Sequence, residues 1–283
     1  MTVNVVAIRC QKKSGDNEAV EQRTKFGDEV LFQQPKATDL GDCPICMIPL
    51  PTNNEDEVVM YSCCSKIVCG GCNYAHQVAT PWSLRSCPFC RKLMPETEEE
   101  CYQLRMKRVE MNDPMALYQE GQIRRIRKEY LIGIESLTKA AALGSAGAHL
   151  SLAEMYQYGE GVDKDDGKKV YHLEQAAIRG HMLARYKLAC DENDDKGNLD
   201  RAVRHLIIAA KQGENQSMTA LLFIFKRKKK FVSKDDLAEA LRAHKAAVDA
   251  VKSEQRDAFL KVAGPQREVW LEAAPSASVT FYK

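Results

Sequence analysis

The chain has 283 residues, room for one large domain or two of ordinary size, with 41 Lys and Arg against 39 Asp and Glu. A formal charge of +2 gives no global attraction to nucleic acid or to an anionic membrane, so neither is expected as a partner. No apolar run approaches the roughly 18 residues of a membrane span. The opening MTVNVVAIRCQKKSGDNEAV has neither a basic leader nor a long apolar core. An intracellular, thiol-reducing setting, cytoplasmic or nuclear, is therefore expected.

Residues 1–40 carry two weak apolar runs, VNVVAI and EVLF, compatible with a small hairpin or with an unstructured segment. The composition changes at residue 41. Of 11 cysteines, eight (Cys43, Cys46, Cys63, Cys64, Cys69, Cys72, Cys87 and Cys90) lie within 48 residues. Cys10, Cys101 and Cys190 stand apart and read as small buried apolar residues. The eight form pairs: CPIC at 43–46, CC at 63–64, CGGC at 69–72 and CPFC at 87–90. Two residues between thiols make a turn whose sulfurs converge on one soft cation, and four thiolates close a tetrahedral structural zinc site. Eight ligands make two such sites, hence two zinc ions. A single CxxC would be shared with redox motifs; three CxxC pairs and a fourth cysteine pair are a metal pattern.

The order of the pairs resembles a RING finger, over residues 41–94. The resemblance implies an interleaved cross-brace, with Cys43, Cys46, Cys69 and Cys72 on the first ion and Cys63, Cys64, Cys87 and Cys90 on the second. The commonest RING pattern puts a histidine two residues after a ligand cysteine; counted from Cys64 that slot is Lys66, whose ammonium has no lone pair. An all-cysteine variant follows, in which adjacent Cys63 and Cys64 both ligate and the chain must turn sharply. His76 is the alternative ligand. Both sites would be closed by protein ligands, leaving no open position for a hydrolytic water.

The resemblance also implies a function. RING ubiquitin ligases do no covalent chemistry; they hold a ubiquitin-charged conjugating enzyme in a reactive pose. The family's contact positions fall here on Ile45 inside CPIC, Trp82 before the last pair, Pro88 inside CPFC, and Arg91 just beyond it. An arginine at that last place could bridge carbonyls of enzyme and ubiquitin.

Residues 95–112, PETEEECYQLRMKRVEMN, read as a charged linker helix, with Asp113-Pro114 starting the next element. A self-similarity follows over 113–262. The AA…G turns at Ala141–Gly144, Ala176–Gly180 and Ala209–Gly213 recur at steps of about 33–36 residues, which in a helical pattern means an all-α solenoid of stacked helix pairs. Three units are expected, at 113–148, 146–184 and 183–217. The central unit, with its loop YQYGEGVDKD and the ending QAAIRGH, resembles a Sel1-like repeat, a relative of the tetratricopeptide repeat. The resemblance implies a groove for substrate or adaptor proteins. One long helix, SKDDLAEALRAHKAAVDAVKSEQRDAF, is expected to cap the array, starting at Ser233. KRKKK at 226–230 is a weak nuclear-localisation pattern or a solvated helix end. Residues 263–283, rich in Pro, Ala and Ser, are expected to be disordered.

The fold expected is thus a small zinc-stabilised cross-brace RING domain joined to a Sel1-like helical-repeat solenoid. The function it implies is a ubiquitin-protein ligase. Its rivals are a zinc-finger scaffold without ligase activity and a thiol redox or metal-buffering protein.

Overall fold

The computed structural model describes residues 27–52, 57–81, 85–194, 197–228 and 230–262. The run VNVVAI, Cys10, Trp82 and the tail from Gly264 lie outside these residues.

Three glycines set the repeat. Gly144, Gly180 and Gly213 have φ of 94°, 93° and 98°, the left-handed region that a Cβ makes costly. Each closes the helix before it with the same bond. Ser145 N–H reaches Ala140 O at 3.0 Å, His181 N–H reaches Ala176 O at 3.0 Å, and Glu214 N–H reaches Ala209 O at 3.1 Å. Two of the residues after these glycines then cap the next helix: Ser145 accepts from Ala148 N–H and Glu214 from Ser217 N–H. Such turns stand at three of the joins in a run of helices: α4 (Pro114–Ile126), α5 (Tyr130–Ala142), α6 (Ala146–Tyr158), α7 (Asp166–Ile178), α8 (Met182–Asp194), α9 (Leu199–Lys211), α10 (Asn215–Arg227) and α11 (Lys234–Ala250). Consecutive helices pack in pairs, and alanines such as Ala140, Ala148, Ala176, Ala184 and Ala209 are fully buried where the pairs meet. In the α6–α7 loop Gly161 is needed twice over: its φ is 71°, and a Cβ there would lie 2.3 Å from Tyr130 Cβ.

The array has four helix pairs among the described residues, where the sequence pattern shows three units and a cap. The extra helix is α10, NQSMTALLFIFKR, which ends without an Ala-Gly turn and so has no repeat signature. Its last turn carries Lys226 and Arg227, and Lys228 is its C-cap, so most of the basic run sits at a helix end, where cations complement the carbonyl dipoles. The long capping helix is also corrected. It stops at Ala250, and a second helix, α12 (254–262), starts after Ser253, whose Oγ accepts from Arg256 N–H at 3.3 Å.

The cysteine-rich segment is built on one hairpin, β1 (Val58–Tyr61) and β2 (Lys66–Cys69), antiparallel with Val58 opposite Cys69 and Tyr61 opposite Lys66. It is followed by α2 (Gly70–Ala79). Leu50, Val58, Tyr61 and Val68 form its small core with the cysteines. The run EVLF falls in a single helical turn, α1 (Asp28–Leu31), and not in a hairpin strand. α3 (Glu98–Glu110) spans both bodies: Leu104 packs on the cysteine cluster and Val109 on the first helix pair. Arg105 on α3 pairs with Glu120 on α4 at 2.8 Å, both nearly dry, a contact whose loss would leave a buried charge. No helix among the described residues is long and apolar enough to cross a membrane.

α12 returns from the far end of the array to the cysteine-rich segment. Arg256, 4 % exposed, donates to Pro49 O at 2.8 Å and Ile48 O at 3.2 Å, and its Nη2 lies 3.7 Å from Cys46 Sγ. Phe259 lies over Gly70, and a Cβ on Gly71 would meet Arg256 N at 2.7 Å. The two glycines of CGGC are what let α12 sit this close. Gly71→Ala should therefore detach α12 even though alanine favours a helix by about 1 kcal/mol. The expected outcome is faster amide exchange over 254–262 and a net destabilisation of about 1–3 kcal/mol, read by exchange mass spectrometry and urea unfolding. Unchanged exchange would contradict the close-approach account.

Candidate metal centre

The first and last cysteine pairs sit in turns of matching geometry. In 43–48, Cys43 N–H donates to Ile48 O at 2.9 Å and Met47 N–H to Cys43 O at 2.8 Å; in 87–92, Cys87 N–H donates to Lys92 O at 2.8 Å and Arg91 N–H to Cys87 O at 2.9 Å. Each turn places the residue after its second cysteine in the left-handed region, Met47 at φ 57° and Arg91 at φ 60°. Each is closed by one isolated bridge, Asp42 with Pro49 and Ser86 with Leu93. The adjacent pair is handled differently. Cys63 and Cys64 occupy the tight turn between β1 and β2, with Ser65 at φ 56° and its N–H on Tyr61 O at 2.8 Å. That turn carries both sulfurs to one side. The third pair joins a strand to a helix: Cys69 ends β2 and its Sγ accepts from Cys72 N–H as the N-cap of α2. A helix N-terminus is where a thiolate is electrostatically favoured.

These turns gather the sulfurs into two groups that alternate along the chain. Cys43, Cys46, Cys69 and Cys72 form one and Cys63, Cys64, Cys87 and Cys90 the other, with all sulfurs of a group within 4.8 Å of one another. Individual separations are 3.9 Å for Cys46–Cys69, 3.6 Å for Cys64–Cys87 and 3.3 Å for Cys63–Cys90. All exceed a disulfide bond, about 2.05 Å. They bracket the roughly 3.8 Å edge of a tetrahedron built on metal–sulfur bonds of about 2.3 Å. The donor set fits two four-coordinate metal ions with soft ligands.

The electrostatics point the same way. Burial raises the Cys63, Cys69 and Cys72 thiols above the ordinary range, and for Cys63 and Cys72 the neighbouring sulfurs add to it. Burial likewise pushes Cys64 up to about 11. Cys43 differs: burial works against its ionisation, but backbone N–H groups of Cys46, Cys69 and Ile45 outweigh it and bring the thiol down to about 7. Cys90 is lowered too: burial works against its ionisation, but the Lys92 N–H and the neighbouring sulfurs outweigh it. Each group thus holds two sulfurs that resist ionising beside one that does not, which a divalent cation, deprotonating its thiol ligands, would reconcile.

The remaining candidate residues are distributed as follows. Ile45 is 42 % exposed at the tip of the first turn, Pro88 is half-buried in the last, and Arg91 is exposed. Trp82 lies outside the described residues. His76 is apart from both sulfur groups; its Nε2 lies 2.7 Å from Ser86 O, tying α2 to the residue before Cys87. Three exposed apolar side chains that the sequence reading passes over join Ile45 on this part of the molecule: Met47, Val78 and Leu93. Also missed are Arg256, Gln255, which accepts from Cys72 Sγ at 3.6 Å, and Phe259. The double glycine of CGGC was the available signal, since a glycine pair opening a helix invites a close neighbour.

No family model matches the chain, and no curated protein matches it. Among solved structures it is similar to a Sel1 repeat protein from Oxalobacter formigenes, with 26 % identity and a TM-score of 0.45, over 53 % of this chain and 64 % of that one. It is also similar to the Pseudomonas aeruginosa protein 5086, with 19 % identity and a TM-score of 0.40, over 66 % of this chain and 68 % of that one. The chain thus spans less than two thirds of the first of these structures. The repeat reading rests on the helix pairs themselves.

The geometry makes a prediction about metal content. Native mass spectrometry of the purified protein should find two bound ions. Cys64→Ser should lose one of them, while His76→Ala should keep both and only loosen the α2–Ser86 contact. Loss of an ion from His76→Ala, with Cys64→Ser unaffected, would move the ligand to the histidine.

Proposed function

We propose that the cysteine-rich segment is a zinc-held RING-type module in an all-cysteine variant, and that the protein is a ubiquitin-protein ligase. In this reading the Sel1-like array recruits the protein to be modified. The observation that carries the proposal is the interleaving of the two sulfur groups, combined with two matching metal turns that leave Ile45 and Arg91 exposed. The domain limits follow the same reading: the module over 41–94, the helix over 95–112 joining it to the array, and the array over 113–262.

Zinc suits an all-sulfur tetrahedral set and has no redox chemistry, so its part is structural. The chain's own residues do the rest. Ile45 would anchor an apolar patch of the conjugating enzyme; Met47, Val78 and Leu93 are further exposed apolar side chains of the same segment. Arg91, fixed in a left-handed turn beyond the last ligand, would donate to carbonyls of the enzyme and of ubiquitin at once. The gain is orientation: the thioester is held so that an incoming amine attacks its carbonyl and the enzyme's thiolate leaves. No residue of this chain takes part covalently.

Two substitutions separate binding from activation. Ile45→Ala should weaken binding of the conjugating enzyme by about 1–3 kcal/mol, the usual cost of truncating a central anchor. Arg91→Ala should keep both metal ions and nearly the same affinity, yet slow discharge of ubiquitin to free lysine roughly tenfold, about 1.4 kcal/mol of selective stabilisation. The measurement is single-turnover discharge with a panel of charged conjugating enzymes. Absence of discharge by the wild type across the panel would leave the scaffold reading in its place.

A further inference from the structure

Residues 27–39 lie across the array, and their contacts have the makeup of a bound peptide. Leu31, 1 % exposed, enters the apolar cluster formed by Leu150, Ala153, Val170, Leu173 and Leu188. Phe32 packs tilted against the His205 ring, centroids 4.6 Å apart, with the Arg204 guanidinium 3.6 Å from its centroid. Asp28 pairs with Arg201 and with Arg204, the latter at 2.9 Å. Beneath them lies Arg185, fully buried, whose Nη1 donates to Leu31 O at 2.8 Å and Nη2 to Gln33 O at 3.1 Å.

Arg185 is the unusual member. An arginine with no exposed surface normally faces a carboxylate; here the guanidinium meets two main-chain carbonyls more than 150 positions away in sequence, and its Nε has no hydrogen-bond partner. Burial without a counter-charge lowers its pKa to about 10. A residue that donates to main-chain carbonyls reads an extended backbone whatever its side chains. Specificity then comes from the leucine pocket, the aromatic slot and the acid-binding arginine pair. The segment has little structure of its own, one helical turn of four residues, and is held by side-chain contacts, with no backbone–backbone hydrogen bond to the array among the described residues.

We infer that residues 28–33 are an internal ligand of the array, and that protein partners bind by displacing them with a segment of the same chemistry: an acidic residue, a leucine three positions later, an aromatic next to it, and free carbonyls for Arg185. The inference rests on the array being a protein-recognition surface and not on ligase activity. The tethered segment competes at an effective concentration in the millimolar range, so partner binding is weakened until the segment is released. Because it leads directly into Asp42 and Cys43, release also removes one of the attachments between the cysteine module and the array.

The test uses the full metal-loaded chain and a fluorescent synthetic peptide, GDEVLFQQPKATD, which is residues 27–39. A chain carrying Asp28→Lys and Leu31→Asp should bind the peptide roughly tenfold or more tighter than wild type. Adding Arg185→Met should abolish that gain, as should the Leu31→Asp change in the peptide. In parallel, excess isotopically heavy peptide should speed amide exchange over 28–33 in the wild-type chain. A folded variant that binds no tighter than wild type overturns the inference. If the variant does not fold, exchange over 28–33 that ignores the peptide overturns it, and faster exchange upholds it. Discharge to free lysine, measured on the same samples, reports separately on the ligase reading.

Discussion

The gathering of eight cysteine sulfurs into two close, interleaved groups is the constraint on which this structure depends. They are drawn together by a hairpin and by three turns of fixed shape, around a small core of Leu50, Val58, Tyr61 and Val68 with Leu40, Val59, Ile67, Phe89, Met94 and Leu104 packed against it. So small a core contributes little folding free energy by itself. On the proposed reading, a divalent cation at each group would supply the charge that clustered thiolates need and, through it, much of the folding free energy of residues 43–90. The alternation of the groups matters as much as their number. Each group joins the first half of the segment to the second, so an ion bound there would keep either turn from reorienting alone.

The helical array is held by a different principle. Left-handed glycines end helices at fixed intervals, polar caps start the next ones, and alanines at the contacts let the helices approach closely. The two bodies are not independent beads. α3 packs on both, α12 brings Arg256 to carbonyls of the first cysteine turn, and residues 27–39 lie over α7–α9 before entering the module. A truncation meant to isolate the cysteine module would strip Arg256 and Phe259 from it, so its loss of activity would not by itself assign a role to the array.

Much of this is legible in the sequence because local physics writes it there. CxxC is a turn by its spacing, and the AA…G recurrence marks the left-handed helix ends at Gly144, Gly180 and Gly213. Asp113-Pro114 and Ser233 are cap signals that depend on nearest neighbours alone. What is not legible depends on partners distant in sequence. Arg256 looks like any charged helix residue until α12 is docked, and Arg185 looks exposed until Leu31 and Gln33 cover it. α10 has no glycine turn at its end and drops out of the repeat pattern. The run EVLF has strand-forming residues, but Leu31 and Phe32 pack into the array from a helical turn, contacts that lie far away in sequence. The break at 251–253 needs only a serine cap, which a continuous apolar stripe through Val251 conceals.

The most direct test of the central claim is X-ray absorption at the metal edge of the purified protein. Two closed all-cysteine sites should show four sulfur neighbours per ion at about 2.3 Å, with no nitrogen or oxygen bound to either ion. A light-atom neighbour would contradict it, because it would mean that one of the eight cysteines is not a ligand and that His76 or water has taken its place.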